Sequence, residues 1–323
     1  MLSNLPEPAH FEAVKRFWRI RAEPRFIRAV ENFVYAVDVD GSEWVLRLTC
    51  ANRRAMDELA SELDWIQFLS ANGLSVAYPL PSVRGNVVER LSGGRGDYYA
   101  AVFRKAPGHS LRQVTDFSDT VVGAWGAYIG RIHALTQRYS VPDGTTKRAH
   151  WQNELTLQVA LRSVDARGCR YSDILLQLLE WQRSLEQPAD AYGLVHADLH
   201  HGNFFVQEST ITAFDFDDCC YHWFAYDLAV PWFYVRSAYR SSGVQFAEEQ
   251  LFEVFLTGYA TSHTLSAAWL KRIETFIAYR TALLYHWMKT RLVDGDFEQP
   301  MIDGCERMML YCERQLDKPI VFE

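Results

Sequence analysis

The 323-residue chain is 49% hydrophobic and 23% charged with a net charge of -7, which excludes disordered, collagen-like and low-complexity chains and supports a large buried core. At about 100 to 200 residues per domain, this length implies two domains or lobes, and a cleft between them is a natural place for a ligand. Forty acidic against 33 basic side chains exclude a general nucleic-acid binder, which gains affinity by displacing counterions from phosphate.

Cys50, Cys169, Cys219, Cys220, Cys305 and Cys312 show no C-x-x-C spacing, so neither a zinc site nor a disulfide framework is indicated. Free thiols suit a reducing cytoplasm. No basic region followed by an apolar run opens the chain, and no stretch approaches 18 uncharged apolar residues, so a soluble cytoplasmic protein without a membrane partner is expected.

In chain order, residues 8–19 read as a short amphipathic helix, followed by strands at 25–30, 33–39 and 44–49, the last two joined by Asp40-Gly41-Ser42, a hairpin signal. Over 52–72 the apolar residues Met56, Leu59, Leu63, Ile66 and Leu69 recur every three or four positions and Gly73 supplies a stop, which predicts a helix. Pro79 and Pro81 bracket a turn; strands follow at 86–90 and 98–103 across the loop from Gly93 to Asp97. Beyond the break at Lys105-Ala-Pro-Gly108, helical periodicity dominates, at 117–137, 173–186, 244–262, 266–290 and 299–316, while 193–218 reads as a loop followed by a small hairpin. The expected fold class is α+β, with an N-terminal antiparallel sheet lobe carrying one main helix (1–104) and a larger, mainly helical lobe (105–323).

The densest chemistry lies in His196-Ala-Asp198-Leu-His-His-Gly-Asn203 and then Asp215-Phe-Asp217-Asp218. Transfer of phosphate from a nucleotide needs a carboxylate to take a hydroxyl proton and hard oxygen ligands for magnesium. Phe204 to Val206 can pair with Ile211 to Phe214, which would bring Asn203 and Asp215 to one end of a hairpin. A metal hydrolase built on His196, His200, His201, Asp198 and Asp215 is a competing reading, but it leaves the organisation of the first hundred residues unexplained.

The H-x-D-x-x-x-x-N loop, the I-x-x-F-D-F-D-D segment and Tyr226-Asp227-Leu-Ala229 resemble the aminoglycoside phosphotransferase family, which includes choline and homoserine kinases. Chain order agrees over most of the length, through Glu31-Asn32-Phe-Val-Tyr35, Val45-Leu-Arg-Leu48, Glu62-Leu-Asp-Trp65, Pro107-Gly108 and Gly130-Arg-Ile-His133. The resemblance implies a two-lobed protein-kinase-like fold that uses ATP and Mg2+ to phosphorylate a small-molecule hydroxyl. Carried over by position, Asp198 is the catalytic base, Asn203 and Asp215 are metal ligands, and Asp217 is a further contact to metal or acceptor. His196 braces the loop, and Asp227 ties a helix of the second lobe.

Kinase-like folds place a lysine on the third strand, paired with a helix glutamate, against the α- and β-phosphates. Here no lysine lies between Lys15 and Lys105, and alternation along Trp44 to Thr49 leaves Arg47 as the cation able to replace it. Glu62 borders the apolar stripe of its helix while Glu58 turns toward solvent, so Glu62 is the expected partner. The loop from Ala29 to Tyr35 has no glycine, so side chains such as Asn32 are expected to supply phosphate contacts. Phe103 and Arg104 open the hinge expected to face adenine.

A pseudokinase that binds nucleotide without transfer is suggested by Arg47 and the glycine-free loop, and opposed by the intact Asp198, Asn203 and Asp215. A protein Ser/Thr kinase would share the same core. The acidic pair Asp217 and Asp218 suits a cationic aminosugar or amino alcohol, but fold does not fix the acceptor, and oligomeric state leaves no mark in one sequence.

Overall fold

The computed structural model describes residues 5–93, 96–164, 170–245, 247–295 and 297–323. Gly94 and Arg95 of the expected loop, and Cys169, lie outside them. The chain forms two compact units, Met1–Pro107 with Tyr139–Arg148 and Thr212–Asp217, and Gly108–Arg138 with Ala149–Ile211 and Asp218–Glu323.

The first unit runs α1 (Pro8–Trp18), β1 (Arg25–Ala29), β2 (Phe33–Val39), β3 (Ser42–Cys50), α2 (Met56–Ala71), β4 (Pro79–Leu80), β5 (Glu89–Leu91) and β6 (Tyr98–Arg104). The strands form an antiparallel sheet in the order β1-β2-β3-β6-β4, with β5 also on β6. Asp40 and Gly41 both take positive φ, 51° and 80°, the backbone that a two-residue hairpin turn demands. On one sheet face Phe33, Val37, Leu46, Leu48 and Val102 bury against Val14 and Trp18 of α1.

Helix α2 starts at Met56 rather than at 52, and Met56 itself is exposed. Its buried stripe is Leu59, Leu63, Ile66 and Leu69, and the Glu58 carboxylate accepts the Ala55 N–H at 2.9 Å at the helix start, satisfying a terminal donor. Pro79, expected in a turn, instead opens β4 opposite Phe103, an edge position where the missing N–H costs little. The segment Thr212–Asp217 joins this unit because Ala213 O accepts the Ala77 N–H at 2.8 Å and Thr212 Oγ1 meets Ser75 Oγ at 2.7 Å.

The second unit contains α3 (Asp119–Thr136), α4 (Leu155–Leu161), α5 (Arg170–Ser184), β7 (Tyr192–Val195), β8 (Phe204–Gln207), the start of β9 (Thr210–Ala213), β10 (Cys220–Trp223), α6 (Phe224–Ser242), α7 (Glu248–Ala260), α8 (Ala267–Lys271), α9 (Ile273–Asp294) and α10 (Gln299–Leu316). β8 pairs with β9 as the expected hairpin, and β7 pairs antiparallel with β10. Helix α6 is absent from the sequence reading because Phe224, Tyr226, Trp232 and Phe233 are buried on several sides, which erases the amphipathic period. The helix expected at 266–290 is broken near Arg272 into α8 and α9.

Helices α3 and α7 approach at glycine. A Cβ on Gly126 would lie 1.9 Å from Phe255 O, whereas one on Gly123 would meet nothing nearer than Val254 Cγ1 at 3.5 Å. Gly126→Ala therefore forces the helices apart and is expected to cost about 1–3 kcal/mol or more, while Gly123→Ala stays near neutral. Urea unfolding of the two variants tests this, and equal midpoints would refute it.

Burial holds His133, His222 and His286 below the ordinary imidazole pKa, in His133 against the opposing pull of Asp227. These rings are neutral when folded and take up protons on unfolding below about pH 6.5. Their contribution is fully present above that pH and is lost as pH falls through the lowered folded values. The urea midpoint is expected to fall steadily between pH 7 and pH 5; a flat profile would contradict the assignment.

Candidate active site

In the second unit, the loop between β7 and β8 carries Asp198. Asn203 Nδ2 donates to Asp198 Oδ2 at 3.0 Å and to its main-chain carbonyl at 2.9 Å. Both bonds use Asn203 Nδ2 and neither uses its Oδ1, so the amide is turned with its nitrogen on Asp198. On the other side, Asp198 Oδ1 is ion-paired with Arg280 of α9, and His200 Nε2 lies 3.7 Å from Oδ2.

The loop backbone is pinned from α6. Ala197 sits at φ 64°, a costly conformation for a residue with a Cβ, and its N–H donates to Asp227 Oδ1 at 2.8 Å. Asp227 Oδ2 is 3.0 Å from His133 Nε2, and both side chains are fully buried. His133 in turn stacks on Phe224 at 4.1 Å. Asp227, read from sequence as tying a helix, thus also ties the loop that bears Asp198. His196 is fully buried, and its Nδ1 accepts the Asp198 N–H at 3.4 Å.

A recess of about 10 Å³, room for roughly one water, has Trp151, Glu154, Asp218, His222, Tyr226 and Arg280 in its wall.

In the first unit, Arg47 and Glu62 form a forked pair, Nη1–Oε1 2.7 Å and Nη2–Oε2 2.8 Å. Both are buried, and the guanidinium lies over the Phe103 ring at 5.0 Å. Burial opposes the Arg47 charge, but Glu62, with Asp217 and Asp215, overrides it and raises the pKa above the ordinary arginine value. Arg104, at the exposed end of β6, places its guanidinium over Tyr78 at 5.7 Å.

Asn32 and Asp217 face each other: Asn32 Nδ2 donates to Asp217 Oδ2 at 3.1 Å, and Asn32 Oδ1 accepts from Thr49 Oγ1 at 2.8 Å. Arg53 Nη1 and Arg54 Nε also donate to the Asp217 carboxylate, at 2.5 and 3.1 Å, while Arg54 and Arg148 hold its carbonyl oxygen at 2.7 and 2.6 Å. Burial would raise this carboxyl, but the guanidinium groups of Arg53, Arg54, Arg47 and Arg148 outweigh it and hold it well below the carboxylate range. The residues read from sequence as phosphate contact and metal or acceptor contact are thus engaged with each other and with arginines. Asp215 stands at φ 66°, partly exposed, with Arg28 Nη2 at 2.7 Å from its Oδ2.

Sequence reasoning missed Arg53, Arg54, Arg148 and Arg280. The first two follow the third strand directly, and Arg280 stands among apolar residues in Ile277 to Leu284, where a charge needs a partner. That mismatch is the signal that marks it.

Among the described residues, no helix is long and apolar enough to cross a membrane. Residues 24–268 match the pattern of the phosphotransferase enzyme family. The chain is 35% identical over 307 residues to amicoumacin kinase of Bacillus subtilis (strain 168), covering 92% of this chain and 89% of that protein. It is similar to the solved structure of the amicoumacin kinase hAmiN in complex with AMP-PNP, Ca2+ and Ami, with TM-score 0.83, 31% identity and coverage of 96% and 94% of the two chains. A microcompartment-associated aminopropanol kinase shares the fold at TM-score 0.73 and 23% identity, over 95% and 96% of the chains. The family pattern, the relative and the kinase-like architecture agree: the chain belongs to the phosphotransferase enzyme family and is a small-molecule kinase.

Proposed function

We propose that this kinase transfers the terminal phosphoryl group of ATP to a hydroxyl of an amine-bearing small molecule, with Mg2+ as the metal and amicoumacin-like compounds as the first candidates. The observation that carries this reading is the Asp198 carboxylate, held by Asn203 and Arg280 at a loop whose backbone is pinned by Asp227. Asp198 receives the hydroxyl proton as the oxygen attacks phosphorus. Asn203 and Asp215 are the proposed magnesium ligands, and the ion supplies positive charge to the phosphate oxygens. Arg47, oriented by Glu62, serves the α- and β-phosphates, and Phe103 and Arg104 serve the adenine end. Asn32 and Asp217, bonded to each other, support the loop from Ala29 to Tyr35. On this reading residues 1–104 form the nucleotide-binding lobe and 105–323 carry the acceptor site.

The amine is supported by the acidic Glu154 and Asp218, which border a small recess beside Trp151 and Tyr226, and by the similarity to amicoumacin kinase. The nucleotide and a divalent cation are supported by the similar complex with AMP-PNP and Ca2+. On this reading the kinase works in the cytoplasm, where free thiols such as Cys50 and Cys219 stay reduced. The experiment is ADP release by purified protein with Mg-ATP across amicoumacin, amino alcohols, homoserine, choline and aminoglycosides, beside hydroxylated compounds without an amine. Acceptor-dependent release confined to amines is expected. Release with neutral alcohols alone would overturn the acceptor class, and silence throughout, with Mg-ATP still bound, would favour a nucleotide-binding module.

A further inference from the structure

We propose that Arg280 is the positioning residue for Asp198, an assignment that rests on the kinase reading above. Arg280 lies in the middle of α9, in a run where Tyr279, Thr281, Ala282, Leu283 and Leu284 are all buried. Its own side chain is 4% exposed. A guanidinium in such a place is retained only with strong partners, since desolvating a lone charge costs several kcal/mol.

The partners are specific. Nη2 donates to Asp198 Oδ1 and to Tyr234 Oη, the latter at 3.2 Å, and Nη1 donates to Tyr226 Oη at 3.3 Å. Both tyrosines belong to α6, the helix that also supplies Asp227 to the Ala197 N–H. One helix thus fixes the loop backbone directly and the carboxylate through Arg280. Asn203 takes Oδ2 and Arg280 takes Oδ1, so rotation of the carboxylate about its last bond is stopped from both ends. The carboxylate is thereby held in one orientation before a hydroxyl arrives, and proton transfer needs no reorganisation of the base. Orientation of this kind is worth several orders of magnitude in rate, and a displacement of about 1 Å can cost 10²-fold. Arg280 also borders a small recess with Glu154 and Tyr279.

The test compares full-length wild type with R280Q, R280K and Y234F by ADP release, by calorimetric binding of Mg-ATP and by thermal unfolding. For R280Q, kcat is expected to fall about 10²-fold while the KM and Kd for ATP stay near wild type. R280K, with the charge but not the fork, is expected to fall between, and Y234F, which removes one of the bonds to the guanidinium, to lose least. Added guanidinium ion is expected to restore part of the turnover of R280A. A kcat for R280Q near wild type would overturn the assignment, as would equal losses of kcat and ATP binding, which mark a structural role alone. Should R280Q fail to fold, R280K decides, and wild-type turnover in R280K refutes the proposal. Absence of acceptor-dependent ADP release in wild type would instead overturn the kinase reading itself, and this assignment with it.

Discussion

Asp198→Asn is expected to lower kcat by about 10² to 10⁴, the usual scale for losing a general base, while Mg-ATP still binds. The amide keeps the size of the carboxylate but cannot take the acceptor proton. It also leaves Arg280 without its counter-charge in a buried setting, so the variant should unfold at lower temperature and be assayed well below that point. Asp198→Glu retains the charge but displaces it by one methylene, and it should lose most of the turnover with a smaller loss of stability. A kcat for Asp198→Asn within tenfold of wild type would remove Asp198 from the base role.

The second large effect is expected at the forked pair. Arg47→Met leaves the Glu62 carboxyl without the guanidinium that pairs with it, at zero side-chain exposure. Breaking one side of a buried pair costs about 3–5 kcal/mol, whereas replacing both sides with apolar groups of similar volume is often nearly neutral. The double variant Arg47→Met/Glu62→Met should therefore recover much of the stability lost by either single variant in urea unfolding, but not the ATP affinity. Arg47→Lys keeps a cation yet cannot make both bonds of the fork. Losing a charge-assisted hydrogen bond that orients a phosphate-binding group should raise the KM for ATP about tenfold. Unchanged ATP affinity in Arg47→Met would take the residue out of the nucleotide site, whatever its effect on stability.

The pair also shows what a sequence can disclose. Arg47 follows from strand alternation and Glu62 from its place beside an apolar stripe at helical spacing. Each inference uses one local period, and the two elements are joined by a short connection that leaves few ways for them to meet. The Asp40-Gly41 turn is legible for the same reason, because backbone geometry over two residues dictates which residue types can stand there, whereas the loop from His196 to Asn203 is legible only through its resemblance to a family motif.

Other features obey no local rule. Asn32 and Asp217 are 185 residues apart in the chain and meet through the segment Thr212–Asp217, which returns to the first unit. Nothing within a few positions of Asp217 indicates that Arg53, Arg54 and Arg148 will surround it. Helix α6 hides because burial on several sides removes its period, and the α8–α9 break hides because its flanks are equally apolar.

The sequence by itself indicated the α+β architecture through periodicity and turn chemistry within short windows, and the family through the resemblance carried by its H-x-D-x-x-x-x-N, F-D-F-D-D and Asp227-Leu-Ala229 motifs. Only the tertiary structure decided that Arg280 holds Asp198 and that Asp227 pins Ala197. It also decided that Asp217 is enclosed by guanidinium groups. Those outcomes depend on which distant charge can neutralise a group taken out of water. That question is settled by packing, since the cost of burying a charge is met only where the completed fold brings its partner within hydrogen-bond distance.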